Sequence, residues 1–219
     1  MTVHHHLDQS TVLRFASGDL DEAFAVVVAA HLDMCPSCRQ SVEDAEAIGG
    51  HILEDGGHQE MSEGSFDTLL AQLDTEAAKP VRPTPASTKK ARDVPAPLRR
   101  FIGESLDDIP WSFVAPGLRR HMIDLGEGAP SSLYLLKIAA GKAVPEHGHN
   151  GSEITLVLSG KFRDALGVFG PGDIEDLDEH IEHQPEVEPD APCICLVATE
   201  APTRFKGLFS RILQPLVGI

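Results

Sequence analysis

The chain of 219 residues has no apolar run approaching the roughly 20 residues that a membrane-spanning helix requires. It also lacks the basic-then-apolar start of a secretory signal, so the expectation is a cytoplasmic protein. Cysteine is scarce. The four that exist fall into Cys35-x-x-Cys38 and Cys193-x-Cys195, too few for a disulfide scaffold and in keeping with a reducing compartment. Basic residues are nearly missing from the first third: residues 1–78 hold 2 Lys+Arg against 15 Asp+Glu, a net of −13 within a total of −16. Such a segment cannot replace the counterions of a nucleic-acid backbone, which excludes direct nucleic-acid binding. It can instead attract a basic protein surface, such as one that otherwise contacts DNA.

What is present divides into three stretches. Residues 1–78 read as a small helical bundle. Asp8 or Ser10 caps a first helix carrying Val12, Leu13 and Phe15, and Gly18 stops it. Asp19 opens a second helix, with Phe24, Val27, Val28 and His31 at helical spacing. A third is expected from Cys38 to Ile48, ending at Gly49-Gly50, and a fourth from Ser65 to about Ala78 with Phe66, Leu69, Leu70 and Leu73 on one stripe. A bundle this small cannot bury all of these stripes, which makes the fourth helix a candidate partner-binding element. Residues 79–97 carry five prolines and a net charge of +4, and read as an interdomain linker. Residues 98–219 alternate short β-rich runs (133–139, 154–158, 194–198) with Gly and Pro punctuation, the pattern of an all-β sandwich or barrel. A tail over 205–217 reads as an amphipathic helix or a final packing segment. The expected fold class is therefore α+β in two domains.

Two constellations carry chemistry. In His31-Leu-Asp-Met-Cys35-Pro-Ser-Cys38 an imidazole and a thiol lie one helical turn apart, and Cys38 can fold back from the turn after Pro36. Thiolates and neutral imidazoles are zinc ligands, and a tetrahedral site needs four. The tract His4-His5-His6 can supply the fourth; His6 is the choice, with His5 open as the alternative. The second is Gly141-x5-His147-x-His149-x3-Glu153-x6-Gly160. Alternation along a strand sends His147 and His149 to one face, and a hairpin can bring Glu153 beside them. This imidazole and carboxylate set suits zinc or another divalent metal, with a fourth ligand from His180 or, in better register, His183. Cys193 and Cys195 share one side of the last strand, as small core residues or as a candidate redox pair.

The His-x3-Cys-x2-Cys run with its upstream histidine resembles the zinc-binding anti-sigma domain. Gly141 to Gly160 resembles the first cupin motif, and Gly170-Pro-Gly-Asp173 looks like the start of the second, with a longer spacing to His183 than is usual. In this order, the parts resemble the ChrR family of cupin anti-sigma factors along essentially the whole chain. The resemblance implies a zinc-bound helical anti-sigma domain followed by a cupin barrel of jelly-roll type. It implies metal ligands His6, His31, Cys35 and Cys38, then His147, His149, Glu153 and His183. It further implies a negative regulator of transcription that sequesters an extracytoplasmic-function sigma factor and releases it in a stress response, on a singlet-oxygen-type signal. The competing expectation is a cupin dioxygenase or isomerase with an accessory zinc domain. Glu146 is then the one nearby acid/base candidate, and the zinc domain has no evident task.

Overall fold

A computed structural model describes residues 2–75, 93–202 and, for the backbone, 204–205. The linker expected at 79–97 falls outside the described residues up to position 92, and the tail helix from 206 onward also lies outside them.

The first helix, α1 (Gln9–Ala16), starts where the Asp8 carboxylate accepts the Thr11 N–H. The second, α2 (Glu22–Met34), is capped by Asp21 rather than by Asp19, because the Asp21 side chain accepts from both Ala23 and Phe24 N–H. Cys35-Pro36 ends α2 and starts α3 (Pro36–Glu54) in one step: Cys35 caps α3, and proline takes the first helical position, where no donor is needed. This helix runs through Gly49-Gly50, six residues past its expected end. Both glycines are exposed and tolerated within a helix that packs elsewhere. The fourth helix, α4 (Ser65–Thr75), follows the exposed stretch 55–64.

After a short α5 (Arg99–Ile102), antiparallel strands form a six-stranded sheet. In spatial order its strands are β1 (Ser112–Ala115), β2 (Leu118–Ile123), β3 (Ser132–Ile138), β11 (Cys193–Thr199), β5 (Glu153–Ser159) and β8 (Ile174–Leu177). Two three-stranded sheets of two-residue strands complete the β part. One has β10 (Glu186–Val187), β6 (Phe162–Arg163) and β7 (Val168–Phe169). The other has β12 (Arg204–Phe205), β4 (His147–Gly148) and β9 (Glu182–His183).

The central strands are buried on both faces, and alternation assigns each face a different neighbour. Leu133, Leu135, Ile154, Leu156, Ile194, Leu196 and Ala198 share a core with Phe24, Val27 and Val28 of α2 and with Val94, Leu98 and Leu106. Tyr134, Val157, Cys193, Cys195 and Val197 face the other way and pack with Phe162, Phe169 and Val187 of the small sheets. Gly160, at φ +75°, lies so close to the Pro192 carbonyl that no Cβ fits; only glycine closes this turn.

Candidate metal centres

His31 sits in the last turn of α2, Cys35 at the α2–α3 junction and Cys38 in the first turn of α3, so the helix–turn–helix alone gathers three donors. The extended arm before α1 brings the fourth. His6 Nδ1 stands 3.3 Å from Cys35 Sγ and 3.5 Å from Cys38 Sγ. A tetrahedral ion with bonds of about 2.0–2.3 Å would space its ligands by roughly 3.3–3.8 Å, the edges seen here. One donor atom from each of the four residues lies within 4.8 Å of the others. His31 Nε2 is buried with no hydrogen-bond partner, while Nδ1 is 2.9 Å from the Gly172 carbonyl. A buried imidazole nitrogen left bare among thiols is a donor that an ion would satisfy. Burial lowers the His31 pKa to about 4, against the opposing pull of the Gly172 carbonyl, so the ring is neutral and ready to coordinate. Burial also raises Cys38 to about 11, so a metal must displace its proton. His6 is the exposed member; the other three are buried. His5, the alternative fourth ligand, is elsewhere: its ring lies 4.1 Å from that of Phe169, and Nε2 is 3.1 Å from the Val168 carbonyl.

The second group forms where β4 pairs with β9, in a register that sets His147 opposite His183. Their Nε2 atoms face each other at 3.0 Å. His149 Nδ1 is 3.4 Å from Glu153 Oε2, and neither nitrogen of the buried His149 ring has a hydrogen-bond partner. All four residues are buried, with donor atoms within 4.8 Å of one another. His180 is not among them. It is exposed, 3.8 Å from the neighbouring Glu179. Burial, aided by the other imidazoles, lowers His147 to about 4 and His149 to about 3, and burial raises Glu153 to about 7. Three imidazoles and a carboxylate converging on one point, with bare nitrogens, fit a divalent metal. Glu146 is exposed outside this group.

Behind His183 lie two carboxylates that the sequence did not single out. Asp164 Oδ2 is 3.1 Å and Glu175 Oε1 3.4 Å from His183 Nδ1. Burial depresses His183, but these partners outweigh it and carry the imidazole to about 9. Burial also raises Asp164, yet its hydrogen bonds, first to His183, hold it at about 2; burial pushes Glu175 up to about 7. Asp164 orients the ring so that Nε2 points to the cluster, the usual task of a carboxylate behind a metal-binding histidine. Glu175 was within reach of pattern reading, since alternation from Asp173 along β8 points it inward. Asp164 lies in a turn with no periodicity to mark it. Cys193 and Cys195 stand on the same inner face with sulfurs 3.6 Å apart, unbonded. The hydrogen bond between them and burial raise Cys195 well above the usual thiol range.

The ChrR cupin-like domain family matches residues 101–202. The anti-sigma-E factor ChrR of Cereibacter sphaeroides is 42% identical over 219 residues, all of both chains. The chain belongs to the ChrR family of anti-sigma factors. Membership makes it a regulator rather than an enzyme. A ChrR-family chain has been solved in the complex of Rhodobacter sphaeroides SigE with the anti-sigma ChrR. The present chain superposes on that structure with a TM-score of 0.78 at 38% identity, covering 90% of this chain and 99% of the other. The ChrR-type cupin-like fold here thus comes with helices at its N-terminus. Among the described residues no helix is long and apolar enough to cross a membrane.

Proposed function

We propose that this protein sequesters an extracytoplasmic-function sigma factor in the cytoplasm and so represses transcription from its promoters. The observation that carries this reading is end-to-end similarity to an anti-sigma factor, joined to superposition on a chain solved bound to SigE. The surface fits the task. Leu13 of α1, Ile48, Ile52 and Leu53 of α3, and Phe66, Leu69, Leu70 and Leu73 of α4 are exposed, Leu53 at 80%. Apolar side chains on a strongly acidic segment suit the mixed basic and apolar surfaces with which a sigma factor meets DNA and polymerase.

In this reading residues 1–78 are the anti-sigma domain, 79–97 the linker and 98–219 a closed cupin barrel. His6, His31, Cys35 and Cys38 hold a zinc ion as a closed structural site, which contributes folding free energy directly. His147, His149, Glu153 and His183 hold zinc or another divalent metal that serves a sensor of oxidants such as singlet oxygen. The pair Cys193/Cys195 is the other candidate sensor. The raised Cys195 pKa keeps that thiol protonated and so weakly nucleophilic, which favours the metal cluster as the first point of oxidant attack.

The test is binding of the purified full chain to its sigma factor, with metal content measured before and after chelation. The expected result is a stoichiometric complex that dissociates when the thiolate-bound metal is removed. A chain that binds no sigma factor, or one whose metal-free Cys35→Ser/Cys38→Ser variant binds it unchanged, would sink the reading.

A further inference from the structure

The exposed ligand His6 lies on an arm with no secondary structure of its own; His4 and His5 on its near side are held by the cupin, while Leu7 on its far side bonds Cys38 through its backbone. His4 N–H and His5 N–H both donate to Asp173 Oδ1, at 2.6 and 3.0 Å. Ile174 N–H donates back to the His5 carbonyl at 3.3 Å. The His5 ring lies against Phe169, and Thr11 Oγ1 donates to Asp176 at 2.6 Å. The same turn reaches a second ligand, since the His31 ring meets the Gly172 carbonyl. One segment, 168–176, therefore fixes two of the four donors. Its next inward residue, Glu175, stands against His183 of the other cluster.

We propose that the Gly172-Asp173 turn of the cupin is a clasp that holds the N-terminal metal site shut, with Asp173 and the Gly172 carbonyl as positioning residues for His6 and His31. The inference rests on the reading of His6, His31, Cys35 and Cys38 as a metal site. An ion held by all four would have three buried donors and one exposed donor, His6. Release of the arm from Asp173 would take His6 away and leave His31, Cys35 and Cys38 as the remaining donors. The arrangement supplies a direct route from barrel to anti-sigma helices. A displacement of β8 that begins at Glu175 and His183 moves the turn two and three residues away, and the turn carries the arm. No change at the helix–helix contacts is needed.

The experiment uses the full chain loaded with Co2+, whose thiolate absorption reports the N-terminal site alone. Release to a chelator is timed for the parent, Asp173→Ala, His4→Pro and the double variant. Asp173→Ala removes the acceptor but also frees Gly170 N–H, which Asp173 Oδ2 binds at 2.8 Å. His4→Pro removes the His4 N–H and its exposed imidazole and fixes φ at that position, and it leaves the hydrogen bonds within the cupin turn intact. Both single variants are expected to speed release about tenfold or more, the usual effect of losing a partner behind a metal ligand. The double variant should be no faster than Asp173→Ala, because His4→Pro removes one of the two hydrogen bonds that Asp173→Ala removes together. Cobalt in the barrel, followed through its thiolate-free spectrum, should be retained as in the parent. Parental release rates in both single variants, or rates that multiply in the double variant, would overturn the clasp. A parent without any cobalt–thiolate absorption would instead overturn the metal site on which it rests.

Discussion

The protonation of individual side chains sets how the barrel takes up its metal. Burial raises Glu153 to about 7, and Asp164 with Glu175 carries His183 to about 9. A metal needs the Glu153 carboxylate and a free lone pair on His183 Nε2, while Nδ1–H stays with Asp164. Both raised groups must therefore lose a proton on binding, and His147 and His149, already neutral, lose none. Apparent affinity is expected to rise from pH 6 to pH 9, with net proton release. Titration calorimetry in buffers of different ionisation enthalpy measures both. Affinity flat over that range would contradict the assignment. Asp21 offers a second test at this scale. Its carboxylate caps α2 through Ala23 and Phe24 and also accepts from Ser131 Oγ, joining the helix to the sheet. Asp21→Ala should cost about 1–2 kcal/mol in denaturant unfolding, the upper range for a cap, because two roles are lost together. A cost of a few tenths would mean that the link to Ser131 contributes nothing.

Helices and long strands were legible in the sequence wherever local chemistry decides them. The cap at Asp8 and the β-rich runs that become β3, β5 and β11 mark elements that then appear, whereas the third helix, expected from Cys38, starts at Pro36 because Cys35 caps it. The His-x-His and His-x3-Cys spacings work for the same reason: neighbours in sequence share a face. Reading failed where neighbours come from far away. The two-residue strands β4, β6, β7, β9 and β10 are too short to show a period, and Asp164 meets His183 only through the folded sheet. The ending at Gly49-Gly50 failed because an exposed helix tolerates glycine at about 1 kcal/mol each. That extra length places Ile52 and Leu53 in solvent beside the start of the acidic stretch 54–63, where a partner can reach them. Leu69→Asp/Leu73→Asp in α4 removes exposed apolar surface without emptying a core. Unfolding free energy should stay within about 0.5 kcal/mol of the parent. Affinity for the sigma factor should fall tenfold or more, measured by calorimetry on the full chain. Unchanged affinity would remove α4 from the docking surface.

At the scale of the whole molecule, the two parts share a core. Helix α2 buries Ala23, Phe24, Val26, Val27, Val28, Ala30 and His31, which leaves no single apolar stripe but burial nearly all round. A three-helix bundle covers one side of such a helix; here β3, β5 and β11 cover another. Full burial of one Val or Phe contributes roughly 1.5–3 kcal/mol. Stripping the sheet from several of them removes a sizeable part of the 5–15 kcal/mol that typically holds a domain together. Residues 1–78 expressed alone should therefore depend on their metal for folding, unfold at a lower temperature than the full chain and bind a dye for exposed apolar surface. Adding a sigma factor that covers the helices should restore the structure in part. Circular dichroism of the 1–78 fragment with and without chelator, beside the full chain, measures this. A fragment as stable without metal as the full chain would show that the shared core carries no load. In that case a signal in the barrel could not reach the anti-sigma helices through packing, and the Asp173 contact to the arm would be left as the route between them.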